Sequence, residues 1–189
     1  KNTEFPEHIK PTKLFPKNKD VDRINFENIK NLNKPFKLYK ALFKDLKENT
    51  DYDISLCENA QIMVTRNIAT ENGIVNGTRG ILRRILSESV IIELLDGTKY
   101  EVTYYKDYIN KEKTKWIEFL PIKIAYAISI HKSQGATLDA IEIDLGSNVF
   151  CESQAYVALS RGRNLKYIRI SELSTTSFKI DKRVLDKFE

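Results

Sequence analysis

The sequence predicts an α/β protein with a parallel sheet, interrupted by a small inserted β-barrel. Two near-continuous apolar runs, residues 122–130 and 140–145, have the pattern of strands buried on both faces of a parallel sheet. Between them and the N-terminal quarter the texture changes. Residues 60–121 hold five short β-runs joined by hairpin and turn signals, the pattern of a small closed barrel. Because α/β texture flanks this region on both sides, it reads as an insertion. The expected organisation is residues 1–59 as the first part of the α/β domain, 60–121 as the barrel, and 122–189 as the second part.

Each element has a local reason. Residues 4–16 carry Pro6, Pro11 and Pro16, which bias the chain to an extended entry segment. Residues 18–32 read as a helix, with Asn18 or Asp20 as cap, acids in the first turn, and Val21, Ile24 and Leu32 on one side. Pro35 ends it, and residues 36–43 read as a strand. In the insertion, strands are expected at 61–65, 80–86, 90–95, 99–104 and 116–120. Gly73, Asn76-Gly77 and Gly80 mark tight turns, and Asp96-Gly97 a primed hairpin turn. After the strand at 122–130, a second is expected at 140–145, a helix at 152–161 closed by Gly162, and a third strand at 167–170. Tyr156 and Leu159 on that helix read as core residues.

Composition narrows the class of function. The 189 residues carry a net charge of +5, all of it in residues 1–50, where 12 Lys and Arg face 7 Asp and Glu. Residues 72–87 add Arg79, Arg83 and Arg84 with no acid. Such clusters are either a solvated surface or a phosphate-backbone track; charge alone does not choose between them. Cys57 and Cys151 stand alone, which argues against a disulfide framework or a structural zinc and fits a reducing intracellular compartment. The longest apolar stretch, 124–130, is far too short for a membrane-spanning helix. The chain starts at Lys1 and its one Met is Met63, so a piece of a longer polypeptide is expected.

Two stretches carry chemistry. In Ala125-Tyr-Ala-Ile-Ser-Ile-His-Lys-Ser-Gln-Gly135 a buried strand delivers a polar loop at its carboxyl end, the edge where open α/β sheets bind ligands. The loop offers an ammonium, a hydroxyl, an amide and a permissive Gly, and reads as a phosphate site or an ordinary surface turn. In the second stretch Gln154, Ala158 and Arg161 fall on one helical stripe. A guanidinium at that helix end projects into a neighbouring site, where it suits a transferring phosphoryl group, or it forms a surface ion pair.

The pair Ala125-Tyr-Ala-Ile-Ser-Ile-His-Lys-Ser-Gln-Gly135 and Tyr156-Val-Ala-Leu-Ser-Arg161 closely resembles motifs V and VI of the PIF-family helicases, in the RecD-like, 5′→3′ branch of superfamily 1. Pro11-Thr-Lys-Leu-Phe-Pro16 with Val21-Asp-Arg-Ile-Asn25 resembles the start of the second RecA-like domain of that family. Asn59-Ala-Gln-Ile-Met-Val-Thr-Arg-Asn67 and Gly73-Ile-Val-Asn-Gly-Thr-Arg-Gly80 resemble the lead into its inserted Src-homology-3-like barrel. The four stretches keep the family order over residues 10–171, which is far more specific than any one of them.

The resemblance implies roles. Arg161 would contact the γ-phosphate of ATP, as the catalytic arginine of motif VI. Gln134 and Gly135 would lie on the nucleotide side of motif V, and His131, Lys132 and Ser133 on the side of the single strand. Asn76, Thr78 and Arg79 of the barrel would line the strand's exit or the separation region. Partners would be single-stranded and fork DNA, and ATP with Mg2+ the cofactor. No Gly-Lys dipeptide exists for a phosphate-binding loop and no Asp-Glu pair for magnesium. Both would come from an N-terminal RecA-like domain of the same polypeptide, so the chain alone is expected to be without ATPase activity. The alternative is a stand-alone single-stranded nucleic-acid-binding or regulatory module without ATPase. A protein-interaction barrel would leave the motif V loop unexplained.

Overall fold

The computed structural model describes residues 10–147, 149 and 153–178. In chain order the elements are β1 (Thr12–Phe15), α1 (Asn18–Lys30), β2 (Lys37–Tyr39), β3 (Leu42–Lys44), β4 (Ile54–Leu56), β5 (Gln61–Val64) and β6 (Arg79–Ile85). There follow β7 (Ser89–Leu94), β8 (Lys99–Thr103), β9 (Tyr105–Tyr108), β10 (Trp116–Phe119), β11 (Ile122–Ile124), β12 (Ala127–Ser129), β13 (Ile141–Leu145), α2 (Gln154–Leu159) and β14 (Ile168–Leu173). The fold is mixed α/β, with one parallel sheet and several antiparallel ones. The chain divides into two units, residues 1–28 with 125–189, and residues 29–124.

The first unit holds the parallel sheet, in the order β12-β1-β13-β14. Leu14 of β1 and Ile141, Ile143 and Leu145 of β13 are fully buried, so its central strands are apolar on the inside. β1 was expected only as an extended entry segment. It is instead a central strand, bonded to β12 on one side and β13 on the other. The part of that segment before Lys10 lies outside the described residues. Its start is tied further by Thr12, whose buried hydroxyl donates to the Ala125 carbonyl at 3.0 Å.

α1 supports the sheet edge. Val21 is its buried residue, and its last turn ends two residues before the expected limit. Asn25 reaches β12: its amide Nδ2 donates to Ala127 O and its Oδ1 accepts from Ala127 N, both at 2.9 Å. Both backbone groups of Ala127 on the open side of an edge strand are thereby satisfied by one side chain.

The second unit is built from antiparallel sheets. The largest runs β11-β5-β6-β7-β8, and β3-β10-β9 and β2-β4 complete it. Leu56, Ile62, Val64, Leu82, Val90, Ile92 and Val102 form its buried core. Gly97 takes φ +84° in the turn between β7 and β8, as Asp96-Gly97 predicts. The five expected strands are all present, and β9, absent from the sequence reading, joins them.

Three boundaries differ from expectation. The apolar run 122–130 carries two strands: β11 pairs antiparallel with β5, whereas β12 pairs parallel with β1. The run crosses from one unit to the other at Ala125, three residues after the expected boundary at 121/122. Residues 29–59, expected with the α/β domain, group with the antiparallel unit, where β3 pairs with β10 and the Tyr39 hydroxyl lies 2.7 Å from Leu86 O. The strand expected at 36–43 is interrupted after Tyr39; Ala41 N donates to Asp53 Oδ1 at 2.8 Å instead of joining a ladder. Residue 152 of the expected second helix lies outside the described residues.

Candidate functional site

The carboxyl end of β12 runs into a tight 3-10 turn at His131–Ser133. Ile130 N donates to Phe15 O at 2.9 Å, so this turn starts beside the carboxyl end of β1. A cavity of about 420 Å³ opens there, within the size range of small-molecule sites. Its walls come from the end of β1 (Pro16), the start of α1 (Asn18), the β12 turn (Ser129 to Lys132, and Gln134) and the start of α2 (Ser153, Gln154, Val157). Lys132 and His131 line it and, among the described residues, no carboxylate does, which suits an anionic occupant.

The loop is stiffened from within. Ser133, expected to face a strand, is fully buried, and its hydroxyl donates to Ile130 O at 2.6 Å. It closes the turn rather than presenting a polar group outward. His131, Lys132 and Gln134 are exposed. Gly135 has φ +76° with nothing within 4 Å of an added Cβ, so its role is torsional: it turns the chain sharply out of the loop.

Arg161 is held by this same loop. Its Nε donates to Val157 O at 3.1 Å, Nη1 to Ala136 O at 3.3 Å, and Nη2 to Ser160 Oγ at 3.0 Å. The backbone adds two bonds: Leu138 N donates to Arg161 O at 2.8 Å and Arg163 N to Leu138 O at 2.9 Å. Arg161 does not line the cavity, and its guanidinium folds back on α2 and the loop instead of projecting freely as expected. The helix ends at Leu159 with the stripe partly internal: Ala158 is fully buried and Gln154 is 7% exposed. Tyr156, expected in the core, is 74% exposed, because it lies on the side of α2 away from the buried Gln154, Ala155 and Ala158. Gly162 allows the close crossing behind the arginine, since a Cβ there would lie 2.5 Å from Ile168 Cδ1.

The residues expected in the other unit serve the turn into β6. Thr78 Oγ1 donates to Gly73 O at 3.0 Å and accepts from Val75 N at 2.9 Å. Asn76 N donates to Asn67 Oδ1 at 2.9 Å. Arg79 is 2% exposed, so it presents no surface to a nucleic acid in this conformation. A buried guanidinium belongs to the packing of the unit rather than to its outer face. Among the described residues, no group of three or more His, Cys, Asp or Glu is placed to hold a metal ion, and no helix is long and apolar enough to cross a membrane.

The site is thus a strand-end cavity beside a cationic loop bonded to an arginine just past the next helix, and the chain that builds it is similar to known proteins. Rat ATP-dependent DNA helicase PIF1 is 33% identical over 193 residues, covering 92% of this chain. The chain is a Pif1-family helicase homologue. It spans 29% of that relative's length. The structure of Bacteroides Pif1 in complex with ADP-AlF4 superposes with a TM-score of 0.80 at 25% identity, covering 95% of this chain and 44% of that one. Bacteroides Pif1 in complex with ADP-AlF3 and single-stranded DNA gives 0.67 at 26% identity, covering 100% and 46%. No protein-family profile matches the chain.

Sequence reasoning missed Pro16, Ser129 and Ser153 as cavity walls. Pro16 and Ser129 are the residues at or just past two strand ends, a signal that becomes readable only once β1 is known to be a strand. Ser153 sits at φ +60°, a conformation its residue type does not announce.

Proposed function

We propose that this chain is the second RecA-like portion of a Pif1-type ATP-dependent DNA helicase, with residues of the 29–124 unit forming its inserted Src-homology-3-like barrel. The whole enzyme would translocate 5′→3′ on single-stranded DNA and separate strands at a fork. ATP supplies, when bound, the phosphoanhydride whose cleavage drives stepping. A preceding RecA-like domain would contribute the phosphate-binding loop and the Mg2+ ligands.

One observation carries the reading. The loop at His131–Gly135 and Arg161 form one hydrogen-bonded assembly, through Ala136 O and the Leu138 backbone bonds. A γ-phosphate recruiting Arg161 would have to compete with neutral carbonyl and hydroxyl acceptors, and a charge-assisted bond to phosphate is the stronger kind. Moving Arg161 off Ala136 would pull on the loop that carries His131 and Lys132. That couples a nucleotide contact to a strand contact through a single side chain. Gln134 and Gly135 take the nucleotide side of the loop, and His131 and Lys132 the strand side. Ser133 holds the loop's shape.

The test is ATP hydrolysis by the polypeptide with its preceding domain in place, with and without single-stranded DNA, compared with its Arg161→Ala variant. DNA-stimulated hydrolysis that the substitution abolishes while strand binding persists supports the motor. Hydrolysis unaffected by the substitution overturns the role of Arg161. Strand binding with no hydrolysis in either form gives a binding module instead.

A further inference from the structure

We propose that the outer face of the β3-β10-β9 sheet is a stacking platform for single-stranded DNA, built on Trp116 and Tyr108 and ringed by lysines. The proposal deepens the preceding reading, on which it rests for the nature of the partner. Nothing in that reading uses these residues.

The register places the platform. Trp116 pairs with Tyr108 across β10 and β9, and with Lys44 across β10 and β3. Residues directly opposite in an antiparallel pair share a face, so Lys44, Trp116 and Tyr108 form one row. Lys106 and Glu118, two residues along on each strand, form the row beside it with Leu42. The alternate positions go to the opposite face: Phe119 and Tyr105 meet edge to face at 6.3 Å, and Arg66 holds Asp107 at 3.1 Å while lying 5.2 Å from the Phe119 ring. Phe119, Tyr105 and the Arg66–Asp107 pair thus take one face, and the row of two aromatics with Lys44, beside Leu42 and the Lys106–Glu118 pair, takes the other.

That outer row is both aromatic and cationic. Tyr108 is 46% exposed. Lys106 Nζ sits 4.3 Å from the Trp116 ring centre, and Lys113 Nζ 5.5 Å from that of Tyr108. Lys111, Lys113 and Lys115 all lie in the connection between β9 and β10. That connection is ordered by Asn110, whose Nδ2 donates to Glu112 Oε2 and Thr114 Oγ1 and whose Oδ1 accepts from Lys115 N. Of the acids near the row, Asp107 is engaged on the opposite face, Glu112 by Asn110 and Glu118 by Lys106 at 3.4 Å, while Glu88 and Glu101 line a cavity with Leu42 and Glu118 at the far side of this face from Tyr108.

Aromatic side chains flanked by lysines are the two components of sequence-tolerant single-strand binding: bases stack on rings, and ammonium groups follow the phosphates. A double helix hides its base faces and has no use for exposed rings. A protein surface would find its apolar contact split between two rings with lysines at each end. The occupant is therefore an unpaired strand.

Trp116 is the only tryptophan in the chain, so it reports on its own site. The experiment titrates the 189-residue chain with an end-labelled oligothymidylate at low salt, reading label anisotropy and tryptophan emission together. Binding with quenched emission is expected, weakening as salt rises. Tyr108→Ala should raise Kd roughly fivefold or more. Lys113→Asn, which suits the φ of +55° at that position, should flatten the salt dependence. Binding without quenching, unchanged by Tyr108→Ala and lost in Lys132→Ala, overturns the platform and leaves the preceding reading intact. Equal affinity for a duplex of the same length, or no binding at low salt, also overturns the platform. The hydrolysis experiment judges the motor separately, so the two failures are distinguishable.

Discussion

Asn25 and Ala127 are joined in both directions: the amide of one side chain gives and receives a 2.9 Å hydrogen bond with the backbone of one residue. It does for the outer edge of β12 what another strand would do, and it pins the strand that launches the His131–Gly135 loop. Asn25→Asp keeps the acceptor but sets a carboxylate against Ala127 O. Asn25→Ala leaves both backbone groups to water. Each change should cost about 1–3 kcal/mol, the loss of a partly buried donor–acceptor set. The midpoint of urea unfolding, followed by far-UV circular dichroism, should fall for both variants, with Asn25→Asp the worse at neutral pH.

Gly80 of β6 pairs with Leu94 of β7. A Cβ there would stand 2.6 Å from Glu93 O, a backbone atom that no rotamer change can move. Gly80→Ala should therefore force the β6-β7 pairing apart and cost about 1–3 kcal/mol. Gly73→Ala meets no atom within 4 Å but must hold φ +73°, a torsional cost of about 1 kcal/mol. Comparing the two by thermal unfolding separates a steric glycine from a torsional one. A smaller loss for Gly80→Ala than for Gly73→Ala would contradict this assignment.

The same contrast explains what the sequence revealed and what it concealed. Gly73, Gly77, the Asp96-Gly97 hairpin and most strands of the second unit were legible because each depends on neighbours within a few residues, whereas Gly80, read as a turn, lies inside β6 opposite Leu94. β1 was not, because Pro11 and Pro16 bracket only four residues, and their extended bias does not say whether a sheet will receive them. The run 122–130 misled for a different reason. Apolar residues continue on both sides of Ala125 and Lys123 and Ile124 are half-buried, so the crossing from one sheet to another leaves no turn signal. At the site, the polar loop after a buried strand was readable from His131 to Gly135. The bonds that turn Ser133 inward and Arg161 back on Val157 depend on tertiary neighbours, and Arg79 is buried by packing that its Thr78–Gly80 context does not encode.

Arg161 makes its bonds through three different nitrogens, and a lysine cannot reproduce them. Arg161→Lys keeps one positive charge and loses the fork. If the arginine serves as a link between nucleotide and loop, Arg161→Lys in the intact polypeptide should depress DNA-stimulated hydrolysis nearly as far as Arg161→Ala, by roughly a hundredfold or more. Affinity for single-stranded DNA without nucleotide should stay within about twofold, since the strand-side residues are untouched. Substantial activity in Arg161→Lys would mean that charge alone suffices, and the bonded geometry would then have no part in coupling.

Tyr39 gives the antiparallel unit an alkaline limit. Burial, with a smaller contribution from Tyr104, raises its pKa above the ordinary tyrosine value, against the opposing effect of its bond to Leu86 O. The hydroxyl lies 2.7 Å from Leu86 O and 3.0 Å from Ser89 O, where only the protonated form can donate. An unfolded chain loses this proton near the usual tyrosine pKa of about 10, while the folded chain keeps it. Above that pH the unfolded state binds fewer protons, so stability falls as pH rises. The contribution is fully present below the ordinary tyrosine pKa and is lost as pH climbs through the raised one. Tyr39→Phe removes the titration along with the two hydrogen-bond contacts. It should therefore lower stability at pH 7 by about 1 kcal/mol but flatten the decline above pH ~10. Urea midpoints measured from pH 7 upward check both halves, and parallel curves for the two proteins would assign the alkaline loss to another group.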